Sequence, residues 1–181
     1  ISGNTSGIII DDNSDISGGI TNSGSIIGST TFGFGIQVND TSDISGGINN
    51  SGTISAGNSA ITVFDGSDIS GGINNSGNII SNGFAGIDIT SSDVSGGIIN
   101  SGTISGGTHG IYLQGATVTG QITNSGTVTG SVAGILVEDT SDLTNGITNS
   151  GTISGGNTGI KVDDTSDISG GIINSGTISA D

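Results

Sequence analysis

The chain has 181 residues and a formal net charge of −15, because 16 acidic residues are offset by a single basic one, Lys161. This balance makes nucleic acid and anionic membrane surfaces poor partners and cations natural ones. The absence of cysteine excludes disulfide bonds and thiolate metal sites. No signal peptide or membrane-spanning segment is visible, so we expect targeting sequences to lie elsewhere and no membrane insertion by this segment.

The chain is a tandem array. Asn-Ser-Gly occurs seven times with spacings of 28, 25, 25, 24, 25 and 25 residues, beginning at Asn22, Asn50, Asn75, Asn100, Asn124, Asn149 and Asn174. Periods of about 20 to 50 residues are typical of units that bury a core only by stacking on their neighbours. Helical repeats need helix-forming residues and leucine-rich repeats need leucines, and both are scarce here. A propeller blade usually needs about 40 residues or more.

Within each unit, numbered one to seven by its Asn-Ser-Gly triplet, five positions stay aliphatic. The first column is Ile8, Ile36, Ile61, Ile87, Ile111, Ile135 and Ile160, and the second is Ile10, Val38, Val63, Ile89, Leu113, Val137 and Val162. The third is Ile16, Ile44, Ile69, Val94, Val118, Leu143 and Ile168, the fourth Ile20, Ile48, Ile73, Ile98, Ile122, Ile147 and Ile172, and the fifth Ile26, Ile54, Ile79, Ile104, Val128, Ile153 and Ile178.

This alternation is typical of strands with one buried face. It predicts an all-β fold, a parallel β-solenoid (β-helix) with three short strands per coil and seven coils, as one array over residues 1–181. At about 4.8 Å per coil the rod would be roughly 34 Å long. The residue between columns one and two is mixed and should point outward. Its members are Ile9, Gln37, Thr62, Asp88, Tyr112, Leu136 and Lys161.

The seven asparagines of the triplets should stack at one corner and form a ladder of side-chain amides, which we interpret as structural. Beside column five, hydroxyl pairs recur as Thr-x-Ser or Thr-x-Thr in five coils, and Ser25/Ile27 and Asn78/Ile80 interrupt the file. The five pairs are Thr53/Ser55, Thr103/Ser105, Thr127/Thr129, Thr152/Ser154 and Thr177/Ser179. The file resembles those of ice-binding proteins, although Thr and Ser are also ordinary outward strand residues.

Fourteen of the 16 acidic residues fall at one corner, just before column three. Five coils carry Asp-x-x-Asp, as Asp12/Asp15, Asp40/Asp43, Asp65/Asp68, Asp139/Asp142 and Asp164/Asp167. In coils four and five we place Thr90 and Gln114 at the first position of the pair. Stacked carboxylates repel one another, and Ca²⁺ prefers carboxylate and carbonyl oxygens, so calcium is a candidate cofactor beside the five paired coils. The alternative is that each Asp makes a local turn and stays solvated.

The composition argues against an enzyme. The acids are spread by repetition rather than gathered in one constellation, and no arginine is present to stabilise developing negative charge. His109 and Tyr112 are the only residues of their kind. Because His109 occupies a corner position that varies between coils, we interpret it as sequence drift.

Units such as Asn149-Ser-Gly-Thr-Ile-Ser-Gly-Gly-Asn-Thr-Gly-Ile160 resemble the repeats in passenger regions of bacterial autotransporters and other large secreted surface adhesins. The resemblance covers essentially the whole chain and implies a right-handed β-helix on the bacterial cell surface. We expect the array to be uncapped at both ends, and to continue in the same chain or join end to end with other copies. The predicted function is a structural rod of an extracellular fibre used in adhesion or matrix and biofilm formation. The alternative is an ice- or carbohydrate-binding module that uses the Thr-x-Ser face.

Overall fold

The aliphatic alternation forms 25 short strands in the computed structural model, which describes residues 1–181. Coils one to three contain β1 (Ile8–Ile10), β2 (Ile20–Asn22), β3 (Ser25–Ile27), β4 (Ile36–Val38), β5 (Ile48–Asn50), β6 (Thr53–Ala56), β7 (Ile61–Phe64), β8 (Asp68–Ile69), β9 (Ile73–Asn75) and β10 (Asn78–Ser81). Coils four and five contain β11 (Ala85–Thr90), β12 (Asp93–Val94), β13 (Ile98–Asn100), β14 (Thr103–Gly106), β15 (His109–Gln114), β16 (Thr117–Val118), β17 (Ile122–Asn124) and β18 (Thr127–Gly130). Coils six and seven contain β19 (Ala133–Glu138), β20 (Asp142–Leu143), β21 (Ile147–Asn149), β22 (Thr152–Gly155), β23 (Thr158–Val162), β24 (Ile172–Asn174) and β25 (Thr177–Ala180).

Strands of successive coils pair in parallel and form three seven-stranded sheets. Sheet 1 runs β1-β4-β7-β11-β15-β19-β23, sheet 2 runs β2-β5-β9-β13-β17-β21-β24, and sheet 3 runs β3-β6-β10-β14-β18-β22-β25. A fourth, short sheet of four two-residue strands, β8-β12-β16-β20, lies at column three. The predicted all-β parallel solenoid of seven coils is therefore confirmed. No helical segment of the chain has the length and apolar character that a membrane-spanning helix needs.

The register places each residue over its counterpart one coil away. In sheet 2, for example, Ile73 pairs with Ile48 on one side and with Ile98 on the other. Equivalent residues therefore form columns along the rod, and a contact made at one position recurs about every 4.8 Å.

The five aliphatic columns form the core. The main cluster holds 30 buried residues, of which only Ala60 and Ala116 lie outside the columns. Each fully buried isoleucine stabilises the fold by about 1.5–3 kcal/mol relative to an exposed one. The seventh coil differs, since Ile172 is 47% exposed whereas its column-four counterpart Ile147 is 1% exposed. Stacking on both sides is what buries each coil.

The second glycine of the Gly-Gly pair makes the turn between columns three and four. Gly72 and Gly97 have φ values of 77° and 76°, in the left-handed region that favours glycine. The Gly-Gly dipeptide therefore recurs because the corner between columns three and four needs a residue with positive φ in most coils.

Some of the outward-pointing residues on sheet 1 are nevertheless buried in the middle coils. The residue between columns one and two does lie outside the main core, but Thr62, Tyr112 and Leu136 are buried, with exposures of 2%, 8% and 6%. Tyr112 and Leu136 pack with Ala85 and Ala133 in a second, smaller cluster against Phe84. Large side chains on the outer face of sheet 1 cover one another, an effect that a two-residue period cannot reveal.

Candidate functional site

The seven triplet asparagines form one continuous ladder of side-chain hydrogen bonds. In every coil but the last, Asn Nδ2 donates to Asn Oδ1 of the next coil, at 2.7–2.8 Å. Asn22 through Asn149 are buried, with exposures between 0% and 6%. The chain of bonds crosses every coil boundary between Asn22 and Asn174, so it ties the whole array together.

Each amide in the ladder also satisfies backbone carbonyls at its corner. Asn75 Nδ2 lies 2.8 Å from Asn100 Oδ1, 3.1 Å from Gly77 O in its own coil, and 3.0 Å from Thr103 O in the next coil. Its two protons are thus shared among three acceptors. Because buried polar groups are costly when unpaired, asparagine at this position stabilises the turn as well as the stack.

The acidic corner contains a second ladder, made of serines, that sequence reasoning missed. The backbone N–H of one coil donates to the serine Oγ of the next at 3.0–3.2 Å, from Ser14 to Ser42, Ser42 to Ser67, Ser67 to Ser92, Ala116 to Ser141 and Ser141 to Ser166. The bonded serines Ser42, Ser67, Ser92 and Ser141 are buried. The signal was present in the sequence, since six of seven coils have serine directly before the second acid of the pair.

The second acid of each pair forms a third ladder, in the opposite direction. Oδ1 of one coil accepts the backbone N–H of the next at 2.9–3.1 Å, from Asp15 to Asp43, Asp43 to Asp68, Asp68 to Asp93 and Asp93 to Thr117. The ladder runs through coil four, where the acid pair is incomplete. In coil six it is broken, because the Asp167 amide donates to Ser141 O and Asp142 Oδ1 is left buried without a partner. Backbone pairing explains most of these second acids.

The first acid of each pair occupies a left-handed corner. Asp12, Asp40, Asp65, Asp139 and Asp164 all have φ between 48° and 57°. Aspartate tolerates this conformation better than most residues with a side chain. In all five coils the next residue also has positive φ, so the corner is a two-residue left-handed turn.

The predicted placement of Thr90 and Gln114 in this position is wrong. Thr90 pairs with Phe64, the residue before Asp65, and Gln114 pairs with Glu138, the residue before Asp139. Coils four and five are therefore one residue shorter at the corner, and each has one left-handed residue, Ser91 or Gly115. The acid pair lapses there because the position is deleted, not because another residue replaces the acid.

No group of three or more acidic or histidine side chains converges closely enough to hold a metal ion by itself. The ten predicted calcium ligands lie along the corner as two files, the first acids in left-handed turns and the second acids one turn later, of which Asp15, Asp43 and Asp68 belong to the backbone ladder. Calcium bound here would have to combine carboxylates with backbone carbonyl oxygens.

The only histidine and the only tyrosine of the chain meet on the outer face of sheet 1. His109 stacks on Tyr112 with ring centroids 5.3 Å apart, and Phe84 packs edge-on against both rings. Tyr112 Oη donates to Glu138 Oε1 at 2.6 Å. Desolvation by burial lowers the pKa of His109, whose Nδ1 is buried without a partner. His109 therefore lies in an aromatic cluster at the start of β15 rather than at an open corner.

Beside this cluster lies a partly buried carboxylate, Asp88, at the centre of β11. It accepts hydrogen bonds from the hydroxyls of Ser59, Thr62 and Thr90, at 3.3, 3.4 and 3.0 Å. All three donors are neutral, and burial raises the pKa of Asp88 above its ordinary value. Asp88 is one of only two acids outside the corner, the other being Asp181, so the repeat does not account for it.

Acid is expected to stabilise the fold through Asp88. Because its folded pKa is raised, the folded state binds this proton at a higher pH than the unfolded state, and the contribution to stability rises as pH falls toward the ordinary value near 3.8. At pH 7 the Asp88→Asn variant should be the more stable protein, and its advantage should shrink toward pH 4. Urea unfolding of both proteins at pH 7, 5.5 and 4 measures this difference. An advantage that stays constant or widens on acidification would contradict it.

The hydroxyl face of sheet 3 is in register but uneven. Thr53 and Thr103 both pair with Asn78, and Thr103, Thr127, Thr152 and Thr177 continue the file. These residues are partly or fully exposed. Asn78 interrupts the file in coil three and Ser25 occupies it in coil one.

Comparison with known proteins yielded no relative: no family model matches the chain, and neither does any curated protein or solved structure.

Proposed function

We propose that this chain is a non-enzymatic structural rod of an extracellular fibre, used in adhesion or matrix formation at a bacterial surface. The ladder of buried asparagine amides carries the proposal, because it crosses every coil boundary in one geometry. A fold made by stacking one kind of coil forms a long, stiff rod. The resemblance of the repeats to autotransporter passenger regions supports the surface setting.

We include assembly along the rod axis in this proposal, because a coil buries its aliphatic columns only where other coils stack on both of its sides. Ile172 and Val162, members of aliphatic columns that are buried in coils two to six, are 47% and 42% exposed. A further coil in the same register would bury both and would pair the free edges of β23, β24 and β25. That coil could come from the same chain or from a second copy.

Electron microscopy of the purified protein tests the proposal. We expect filaments of uniform width that lengthen with protein concentration. A charged substitution on the terminal face, Ile172→Lys, should shorten them, whereas Ile99→Lys on the outer face of sheet 2 is the matched control. Isolated short rods at every concentration would contradict assembly, and ice shaping by such rods would favour the hydroxyl face as the functional surface instead.

We further propose that calcium stabilises the acidic corner. Coils six and seven are the strongest position, because this corner carries the additional acids Glu138 and Asp163 and because Asp142 Oδ1 is buried there without a hydrogen-bond partner. Hard oxygen ligands of this kind are those that Ca²⁺ prefers. Coils four and five, with the shortened corner, should bind none.

Calcium should therefore raise the melting temperature. At 100 times the Kd, binding adds about 2.7 kcal/mol, which in a chain of this size corresponds to roughly 5–10 °C. Calorimetry with calcium, with magnesium and with chelator measures the shift, and Asp142→Asn should reduce it while Asp88→Asn should not. Equal melting temperatures with calcium and with chelator would contradict calcium binding. The corner acids would then act only through their turns and their hydrogen bonds to backbone amides.

A further inference from the structure

Three of the four phenylalanines in the chain line one open cleft on the outer face of sheet 1. Phe34, Phe64 and Phe84 come from coils two, three and four, and Asn58, Thr62 and Asp88 complete most of the lining. The cleft has a volume of about 250 Å³. Its three rings are only partly buried, so they present surface to the cleft. Neither the core nor the ladders require aromatic residues at these positions.

The polar part of the cleft is anionic. Asp88 accepts three hydrogen bonds there, all from neutral hydroxyls. The only basic side chain of the protein, Lys161, lies in coil seven and pairs with Asp163. The carboxylate of Asp88 thus has no cationic partner within the chain, and a net charge of −15 raises the local concentration of cations.

The geometry points to a binding site for an alkylammonium group, in which the aromatic rings contact the apolar part of the cation and Asp88 supplies the counter-charge. Aromatic rings attract cations through their electron-rich faces, and aromatic cages with an acidic residue are a common way to bind quaternary ammonium groups. A carboxylate excludes anions, and ring carbons do not ligate metal ions. The volume is smaller than the usual range for drug-sized ligands, about 300–1,000 Å³, so the cleft suits a head group.

This inference goes beyond the proposed structural role, because a rod needs no such cleft. It also fits the distribution of residues along the chain. The four phenylalanines all lie between positions 32 and 84, whereas the aliphatic columns and the asparagine ladder extend over all seven coils. The cleft is thus one local feature on a repeating support.

Titration by NMR tests the site. Choline chloride should shift the amide resonances of β7 and β11 in a saturable manner, whereas its neutral isostere 3,3-dimethylbutan-1-ol and sodium chloride of equal ionic strength should not. Lysine with capped backbone groups is the second probe. Binding of choline alone indicates a free quaternary amine as the ligand, and binding of both indicates that a lysine side chain of a partner is also accepted.

Two variants decide the contribution of the cleft. Asp88→Asn and Phe84→Leu should each weaken choline binding about tenfold or more, since one removes the charge and the other the ring. Asp11→Asn changes the net charge equally at an exposed corner of coil one and should leave binding unchanged. Equal binding of choline by Asp88→Asn, equal shifts with the neutral isostere, or no saturable shift with any cation would overturn the assignment.

Discussion

Replacing Gly102 by alanine is expected to destabilise the array strongly. An added Cβ at Gly102 would lie 2.0 Å from Gly77 O and 2.7 Å from the carbonyl carbon of Ser76 in the preceding coil. Both obstacles are backbone, so no side chain can rotate away. We expect a loss of at least about 3 kcal/mol in the free energy of unfolding, the upper part of the range for overpacking. Urea unfolding followed by circular dichroism measures it.

The first coil supplies the matched control. Gly24 holds the same place in its Asn-Ser-Gly triplet, but a Cβ there would have no atom within 4 Å. Gly24→Ala should therefore cost little. Equal effects of the two substitutions would mean that close coil-on-coil contact is not what glycine provides at this position.

Removing one member of the amide ladder is the second large effect. Asn75→Ala removes the acceptor of Asn50 Nδ2 and the donor to Asn100 Oδ1, and it leaves Thr103 O short of a partner. Each buried group left unsatisfied costs about 1–3 kcal/mol. We expect a total loss of about 3 kcal/mol, measured as for Gly102→Ala.

Asn74→Ala is the control for Asn75→Ala. The two asparagines are neighbours in β9, but Asn74 lies on the outer face, where it donates only to Asn49 Oδ1 at 3.1 Å in an exposed bond. Its removal should cost well under 1 kcal/mol, the net value of an ordinary hydrogen bond. A loss as large as that of Asn75→Ala would show that outward and inward asparagines are energetically equivalent.

Repetition made the core and the corner asparagines predictable from sequence. A residue that recurs at one place in every coil has a role that every coil needs. For isoleucine in column four this role is core packing, and for asparagine before Ser-Gly it is the amide ladder. The serine ladder, with a serine in six of the seven coils, could have been found by asking which backbone amides near column three lacked a strand partner.

Features confined to one or two coils were not predictable in the same way. The shortened corner was visible in the sequence only as spacing, because Ile89 of column two lies five residues before Val94 of column three, whereas Val63 lies six residues before Ile69. When only the acids are compared, this deletion looks like a substitution. The packing of Phe84 on His109 and Tyr112 joins positions 25 and 28 residues apart on an outward face, where the two-residue period predicts only exposure. Side-chain contacts that occur in only one or two coils are therefore found from the three-dimensional structure rather than from the repeat pattern.

Regular and irregular features therefore suggest separate roles. The amide ladder and the aliphatic columns maintain the rod, and they persist through the shortened corners of coils four and five, whereas the serine ladder is interrupted at Ala116. The acid pairs and the Phe34, Phe64 and Phe84 cleft are limited to some coils, so they are the places where surface chemistry can vary without disturbing the stack.

Hydrogen exchange of asparagine side-chain amides, followed by NMR, tests the stacked-coil account most directly. The Nδ2 protons of Asn50, Asn75 and Asn100 should exchange orders of magnitude more slowly than those of the outward Asn49 and Asn74, because they are released only when coils separate. Exchange at the same rate for both sets would contradict a buried ladder and, with it, the proposed rod.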